Sequence, residues 1–364
     1  MQIDFHHGVT YVVARLAGMS HKDADVLSYS AQYVDDNIHT GAIQFSNGGR
    51  YYRESSAHKM IDYRNLKALA NLKCWVPFHF LPGNGNLPQG DNPEGSFIRK
   101  LICRPNSKVA QDMVTLAIEN KHKPYGLHRF GITMHVYIDT WAHQGFAGIS
   151  HAHNEVSEIS IDGKNCEEVL KRLKGRWRDR LKSWFVERMS ALGHGPVLSY
   201  PDRPYLNWTY KDSNGAVVVR NNPEDFMQAA EHMCIAIQRF IKGDSSADVP
   251  GFTGADQKDV ALLESMISSI TDTNGEARHK KWLQAVNIGA FNFGAESLEY
   301  RPKGMGSWKH KALNTCLHKD TGKEIYDYTL AFECSDWKLF HDGILSHRFD
   351  VLHEILPRYG IRVA

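Results

Sequence analysis

The chain has 364 residues, of which 42% are hydrophobic and 23% are charged. These proportions exclude a disordered chain, and the length allows one large domain or two of average size. The net charge of +2, with histidine neutral, gives no electrostatic basis for wrapping a nucleic-acid backbone, although it is compatible with a small phosphate-bearing substrate.

The spacing of the cysteines and the distribution of apolar residues indicate where in the cell the protein is located. Six cysteines occur without a Cys-x-x-Cys pair, which favours buried thiols in a reducing compartment over a disulfide framework or a thiolate zinc site. The start lacks a basic segment followed by an apolar one, so no secretory signal is expected. No stretch approaches about 18 uninterrupted apolar residues, so no membrane span is expected. The sequence predicts a cytoplasmic protein, or one exported without a cleaved signal.

Apolar residues at helical spacing predict two helices near the start of the chain. The first covers residues 6–16, and the second, which begins at a capping pattern at Ser20, covers residues 20–34. The segment 38–53 is rich in Gly, Asn and Ser and is predicted as a loop, and residues 56–72 are predicted as weakly helical.

The rest of the chain continues the helical pattern. Residues 74–95 form a long predicted loop with an aromatic start, and residues 210–220 form a predicted hairpin that turns at Asp212. Further helices are predicted at residues 107–119, 124–145, 169–192 (with a basic exposed face), 223–241, 256–270 and 337–356. The expected fold is mainly α, a multi-helix bundle with long loops and a small β-hairpin. We expect residues 1–200 to form a metal-binding helical core and residues 201–364 to pack on it as a helical extension.

The segment from His135 to His143 carries the strongest chemical signal in the sequence. His135, Asp139 and His143 stand four residues apart, so on a helix their side chains lie within roughly 80° of one face. His128 falls on the same face. Imidazole and carboxylate are ligands that zinc and other divalent transition metals accept. The intervening apolar residues predict a buried stripe, for which structural hydrogen bonding is the alternative to metal binding.

Additional ligands must come from other elements, because one helix face cannot surround an ion. Taken singly, each of the 20 histidines is more often a surface or hydrogen-bonded residue than a ligand. The sequence does not decide within adjacent pairs of candidates or among the last histidines. The candidates are His6 or His7, Asp35 or Asp36, His58, and then His151, His153, Glu155 and His194.

The pattern resembles that of the zinc-dependent phospholipase C and S1/P1 nuclease superfamily. The resemblance covers roughly the first 145 residues. Its elements are His6-His-Gly-Val-Thr-Tyr-Val-Val-Ala, Gln32-Tyr-Val-Asp35-Asp36, His58, and His135-x3-Asp139-x3-His143 preceded by Gly131. For the downstream His-x3-Glu of that superfamily, only His151 and Glu155 fit by spacing, and His194 is the alternative. The amino-terminal Trp ligand of that superfamily, freed by signal cleavage, has no counterpart in this sequence.

The resemblance implies an all-α phosphoric ester hydrolase with two or three zinc ions, for which manganese or iron are alternatives. Asp139 would bridge two ions, His135 and His143 would serve neighbouring ions, and Asp35 or Asp36 would be a ligand or a general base. A metal-activated water would attack a phosphodiester, so no protein nucleophile is needed. The substrate would be a phospholipid head group, a nucleotide or a nucleic acid.

Other resemblances and functions stay open. Trp75-Val-Pro-Phe-His-Phe-Leu-Pro-Gly and Ala191-Leu-Gly-His-Gly-Pro resemble an uncharacterised microbial family with no assigned activity. An HD-type phosphohydrolase would centre on His341 and Asp342. A protein whose metal is only structural would be a binding module or a delivered effector.

Overall fold

A computed structural model describes residues 1–58, 68–161, 164–165, 192–318, 320 and 322–362. Most of the predicted basic helix at 169–192 and of the predicted weak helix at 56–72 lies outside the described residues. Within the described residues the protein is mainly α-helical, as predicted, and none of these helices is long and apolar enough to cross a membrane.

Twelve α-helices lie in the described part of the chain, and the first of them continues a π-helical turn at Asp4–Val9. In chain order they are α1 (Thr10–Leu16), α2 (His21–Asp36), α3 (Ala68–Phe78), α4 (Ile98–Leu101), α5 (Lys108–Glu119), α6 (Gly126–Ala142), α7 (Asn222–Lys242), α8 (Gln257–Ser269), α9 (Gly275–Asn287), α10 (Trp308–Leu313), α11 (Leu330–Glu333) and α12 (Asp336–Phe349). A second π-helical turn, Asp350–Ile355, follows α12 directly.

Seven short strands within these ranges form two sheets. The strands are β1 (Gly41–Phe45), β2 (Arg50–Arg53), β3 (Ser157–Ile161), β4 (Lys164–Asn165), β5 (Asn207–Lys211), β6 (Val217–Asn221) and β7 (Ile325–Tyr326). One sheet has the order β2-β1-β7, with β7 parallel to β1, and the other has the order β4-β3-β5-β6 with antiparallel pairs.

One hairpin agrees with the sequence prediction and another does not. The predicted hairpin at 210–220 is confirmed as β5–β6, and Asp212 Oδ1 accepts backbone hydrogen bonds at its turn. The predicted loop at 38–53 is wrong, because β1 and β2 form a hairpin there. Ile43 and Phe45 are buried at alternate positions of β1, so packing against the core outweighs the polar composition of the segment.

The prediction of an uninterrupted loop at 74–95 is also wrong, because α3 runs to Phe78. Pro77 lies in the last turn of α3 and has no N–H to continue the helical hydrogen bonds. The N–H groups of His79 and Phe80 both bond to Trp75 O, at 3.0 and 2.7 Å, and close the helix. His79 therefore lies directly beyond a helix end instead of within a long loop.

The two N-terminal helices agree with the predictions. Helical structure ends before Gly18, whose φ of +92° favours glycine. Ser20 caps α2, since its Oγ accepts a hydrogen bond from Asp23 N at 3.2 Å. α2 extends to Asp36 instead of ending at residue 34, so Asp35 lies in its last turn.

α6 is the central helix of the bundle. All its residues except Leu127 are buried, and it packs against α2, α5, α7 and α12. A helix buried on every side needs apolar partners around its full circumference. The main hydrophobic cluster takes residues from before and after residue 200, among them Val136, Phe226 and Leu352.

The crossing of α2 and α6 is closest at Gly131. A Cβ there would lie 2.6 Å from both Leu27 O and Ser30 Cβ, so the two helices would have to separate. Helix propensity alone would make Gly131→Ala stabilising by about 1 kcal/mol. We expect it instead to lower the free energy of unfolding by about 1–3 kcal/mol, measured by chemical denaturation. Lys22→Ala, an exposed change on α2, is the control, and a stabilising Gly131→Ala would contradict the tight crossing.

Candidate metal centre

Imidazoles and carboxylates from several elements meet beside the C-terminal half of α6. They come from the π-helical turn before α1, the end of α2, the residue after α3, α6 itself and the loop before β5. Most of them are buried. In chain order they are His6, Asp35, His79, His135, Asp139, His143, His194 and Asp202, and we call this set the His/Asp cluster.

Asp139 lies at the centre of the His/Asp cluster. Its Oδ1 lies 3.3 Å from His6 Nε2 and accepts a 2.5 Å hydrogen bond from the amino group of Met1. Its Oδ2 lies 3.4 Å from His135 Nε2 and 3.7 Å from His79 Nδ1. His143 Nδ1 lies 3.6 Å from the same Oδ2, so one carboxylate contacts four imidazoles and an amine through both of its oxygens.

Asp35 faces the same imidazoles from the end of α2. Its Oδ1 lies 3.8 Å from His79 Nδ1 and 3.9 Å from His135 Nε2, and its Oδ2 lies 4.0 Å from His6 Nε2. These distances are too long for hydrogen bonds. The donor atoms of His6, Asp35 and His135 nevertheless all lie within 4.8 Å of one another, as do those of His79, His135 and Asp139.

A third set of donor atoms lies at the C-terminal end of α6. His143 Nε2 lies 3.4 Å from Asp202 Oδ1, and His194 Nε2 lies 3.6 Å from Asp202 Oδ2. The amino group of Met1 lies 3.3 Å from Asp202 Oδ1 and 3.5 Å from His143 Nε2. Asp139 and Asp202 thus share one buried amine, which connects the third set to the other two.

Backbone carbonyl groups hold four of the imidazoles. Because a carbonyl oxygen only accepts, each such hydrogen bond assigns the proton to one ring nitrogen and leaves a lone pair on the other. In all four rings a carboxylate of the His/Asp cluster lies within 4 Å of that second nitrogen. Metal-binding histidines are oriented in this way. The bonds are His79 Nε2–H to Ser56 O (2.9 Å), His135 Nδ1–H to Ala31 O (2.8 Å), His143 Nδ1–H to His79 O (2.6 Å) and His194 Nδ1–H to Leu198 O (2.6 Å).

The spacing of the donor atoms suits divalent metal ions. Bonds of about 2.0–2.1 Å at tetrahedral angles put neighbouring donor atoms about 3.3–3.4 Å apart. The contacts of His6 and His135 with Asp139, and of His143 with Asp202, have these lengths. His6 Nε2, Asp139 Oδ2 and Asp202 Oδ1 are buried without a hydrogen-bond partner among the described residues. The protein therefore contains buried His and Asp groups that could hold a metal ion.

Electrostatics favour the protonation states that metal ions require. Burial lowers the pKa of His143 to about 4 and that of His6 well below its usual value, so both are neutral near neutral pH. Burial alone would raise the pKa of Asp139, but His143 and the Met1 amine hold it well below its usual range. Burial would lower the pKa of the Met1 amine, but Asp139 and Asp202 raise it to about 11. Ionised carboxylates beside neutral imidazoles are the forms that bind metals.

The structure separates the adjacent pairs that the sequence left undecided. His7 shares a 2.9 Å hydrogen bond with His279 on α9, and Asp36 Oδ2 accepts a 2.7 Å hydrogen bond from Tyr300. Neither His7 nor Asp36 belongs to the three donor sets. The predicted ligands that the structure does bring together are His6, Asp35, His135, Asp139, His143 and His194.

Four other predicted ligands, His58, His151, His153 and Glu155, lie outside the His/Asp cluster, and His153 Nε2 bonds to Gly145 O at 2.9 Å. His58 is buried with its ring 6.4 Å from that of Trp75. His151 is exposed, and its Nδ1 accepts a hydrogen bond from His153 N at 3.0 Å. Glu155 is also exposed, at the other end of the same short turn. The His-x3-Glu spacing that matches the superfamily therefore falls on a surface turn.

Three groups of the site were not identified from the sequence. His79 lies in an aromatic segment that the pattern predicts as a loop, and Asp202 follows His194 within a segment interrupted by prolines. Proximity to His194 was the only local signal for Asp202. The amino group of Met1 has no local signal, because contacts with distant parts of the chain bring it to Asp139.

Arg278 on α9 holds the segment that leads from Met1 to His6. Its Nε lies 2.5 Å from Asp4 Oδ2 and its Nη2 lies 3.0 Å from Asp4 Oδ1, which makes a buried two-point contact. Nη2 also donates to Gln2 Oε1 at 2.7 Å. A residue of α9 therefore positions both the amine and the first imidazole of the site.

Two further His and Asp pairs have other partners. His128, on the predicted face of α6, contacts Asp336 Oδ1 at 3.0 Å. Asp342 accepts a 2.8 Å hydrogen bond from Tyr51, and neighbouring His341 is buried. None of the donor sets found among the described residues includes His341 or Asp342, so the geometry gives no support to an HD-type site.

His347 on α12 provides a test of how a buried histidine affects stability. Burial lowers its pKa to about 3, and its Nε2–H donates to Pro77 O at 3.0 Å. The pKa of a histidine in an unfolded chain is about 6.5. Below that pH the unfolded chain binds a proton that the folded protein excludes, so the free energy of unfolding decreases as the pH falls toward 3.

The expected result is that His347→Gln weakens this pH dependence by up to about 1.4 kcal/mol per pH unit. Urea denaturation at about pH 7.5 and about pH 5.5 measures the slope. His353→Gln, at an exposed position of the following π-helical turn, is the matched control and should leave the slope unchanged. Equal slopes in His347→Gln and the unmodified protein would contradict the expectation.

Comparisons with known proteins identify a family without an activity. No curated protein matches the chain, and no solved structure matches it. One family model matches residues 1–355, a range that includes the complete His/Asp cluster. The chain therefore belongs to DUF6765, a family of unknown function.

Proposed function

We propose that the protein is a metal-dependent hydrolase of phosphodiesters, with the His/Asp cluster as its active site. The observation that supports it best is the convergence of five imidazoles and three carboxylates within one mostly buried site. Burying such groups without hydrogen bonds is unfavourable, and several of their atoms have no such partner among the described residues. Bound cations would compensate for this cost.

We propose zinc as the resident metal, present as two or three ions. Nitrogen and oxygen donors without thiolate suit zinc, and also manganese or iron. An imidazole nitrogen has one lone pair, so His135 serves one ion although it occurs in two donor sets. In the assignment we favour, one ion would be held by His79, His135 and Asp139, a second by His6, Asp35 and Asp139, and a third by His143, His194 and Asp202.

Solvent access favours a catalytic role over a purely structural one. The side chain of Asp35 is 33% exposed and that of His194 is 18% exposed. His6, His135 and Asp139 are fully or almost fully buried. Structural zinc sites are closed by protein ligands, whereas catalytic sites keep an open position. A donor set that is buried on one side and reaches solvent on the other suits an external substrate.

The choice of a phosphodiester rests on the resemblance to the phospholipase C and S1/P1 nuclease superfamily. Zinc would supply Lewis-acid stabilisation of a phosphoryl oxygen and a water of lowered pKa. Asp35 is the candidate general base, because its carboxylate is the more accessible one. Asp139 would hold metal ions together with His6, His79 and His135. A phospholipid head group and a nucleotide both remain candidate substrates.

Metal analysis and hydrolysis measured on the same preparation test this proposal. Protein purified without a histidine tag should contain at least about one equivalent of zinc, manganese or iron, and less than about half an equivalent would contradict the metal site. It should hydrolyse bis-nitrophenyl phosphate, lose the activity on chelation and regain it on adding zinc. Retained metal without turnover of any phosphodiester, lipid or nucleotide would instead indicate a metal-stabilised binding protein or effector.

A further inference from the structure

A second polar cavity lies at the C-terminal end of α2 and is lined by none of the residues of the His/Asp cluster. It is bordered by β2, α10 and α12 and opens to solvent. Three cationic side chains and three imidazoles line it: Arg53, Lys303, Lys309, His39, His318 and His341. Asp36 is the carboxylate among the lining residues.

Asp320 anchors two of the cations from behind the cavity wall. Its Oδ2 lies 2.5 Å from Arg53 Nη2, and its Oδ1 accepts a hydrogen bond from Lys309 Nζ. The side chains of Asp320 and Arg53 are each only 7% exposed. Arg53 has five N–H donors and Lys309 has three, so these ion pairs leave donors on both residues for a ligand.

Three buried nitrogen atoms of the residues that line the cavity have no hydrogen-bond partner among the described residues. They are Arg53 Nε, Trp337 Nε1 and His341 Nδ1, in residues that are 6%, 0% and 1% exposed. A buried polar atom without a partner is costly, so each of these atoms points to a polar ligand. Lys303 makes no ion pair with any residue that the structure describes, and its ammonium group is available as well.

We propose that this cavity binds a dianionic phosphate group, either as the free ion or as a phosphate monoester. The three cations exceed the two nearby carboxylates, Asp36 and Asp320, so the site keeps a net positive charge that favours an anion. Guanidinium and ammonium groups donate charge-assisted hydrogen bonds to phosphate oxygens. The imidazoles do not indicate another metal site, because none of the donor sets found in the described residues includes them. The inference does not depend on the proposed hydrolase.

Calorimetric titration of the purified full chain with inorganic phosphate at about pH 8, where phosphate is mainly a dianion, tests the cavity. We expect saturable binding that Lys303→Ala weakens about tenfold, the usual effect of losing a charge-assisted hydrogen bond. Lys303 is half-buried and has no ion pair among the described residues, so its removal should leave the fold intact. Lys311→Ala is the matched control, because Lys311 is an exposed lysine of α10 that does not line the cavity.

The comparison of these two lysines decides the outcome. Lys311→Ala should change the affinity less than about twofold, since an exposed distant charge is screened. Phosphate binding that Lys303→Ala leaves unchanged would place the anion elsewhere, for example on metal ions of the His/Asp cluster, and would overturn the proposal. Equal weakening by both variants would indicate non-specific attraction and would overturn it too. Competition by glycerol phosphate would identify a monoester as the ligand, and its failure to compete would identify the free ion.

Discussion

Asp139→Asn is expected to remove most of the bound metal and nearly all of the metal-dependent hydrolysis. Both oxygens of Asp139 face donor atoms, and an amide offers one weaker oxygen ligand and no charge. Changes to groups that merely support a ligand typically cost about 10–100-fold in metal affinity or activity, so loss of a central ligand should cost at least that much. Elemental analysis of the tag-free variant and its turnover of bis-nitrophenyl phosphate measure the two effects separately.

The pair of His128 on α6 and Asp336 on α12 provides the matched control for Asp139→Asn. Asp336→Asn removes the carboxylate that contacts His128. The side chain of Asp336 is 41% exposed, and Asp336 belongs to none of the donor sets found among the described residues. Metal content and turnover should therefore stay within about twofold of the unmodified protein, as for other surface changes. An Asp139→Asn protein that keeps its metal and its activity would rule out the central role of this carboxylate. If Asp139→Asn lowers the metal content but the unmodified protein shows no turnover, the result would support the metal site and contradict the proposed hydrolase activity.

The spacing of His135, Asp139 and His143 was sufficient to predict a shared helix face, because helical periodicity depends only on local sequence. The choice between His6 and His7 was not predictable in this way. Adjacent residues of a helix point about 100° apart, and which one faces the site depends on where α6 and α9 pack. His7 faces His279, whose position is fixed by a helix far along the chain. Local sequence contains no information about that packing.

The segments predicted wrongly have a related cause. The hairpin of β1 and β2 is stabilised by burial of Ile43 and Phe45 in a cluster with Phe332, near the other end of the chain. The composition of segment 74–95 predicts a loop at His79, yet α3 includes Pro77 and ends at Phe78, the residue before His79. Composition and periodicity therefore predicted the helical class, whereas long-range packing determined the remaining ligands.

Arg278→Met is expected to lower the free energy of unfolding by about 3–5 kcal/mol, because it leaves the buried carboxylate of Asp4 without its counter-charge. Arg278 is fully buried and Asp4 is 1% exposed, so water cannot replace the lost contact. Burial raises the pKa of Asp4 and Arg278 opposes that increase, so the variant should also bind a proton there at higher pH. Chemical denaturation with and without chelator measures the stability.

The position of Arg278 implies that Arg278→Met should also lower the metal content of the His/Asp cluster. Gln2 and Asp4 both accept hydrogen bonds from Arg278 and lie in the segment between Met1 and His6. Met1 and His6 in turn contact Asp139. Adding Asp4→Asn to Arg278→Met removes the unpaired charge, so it should recover stability while the metal content stays low. Arg358→Met should cost less than about 1 kcal/mol, because the ion pair of Arg358 within the described part of the chain is a 4.0 Å surface contact with Glu354. Full metal content in the Arg278→Met protein would show that α9 stabilises the fold without positioning the site.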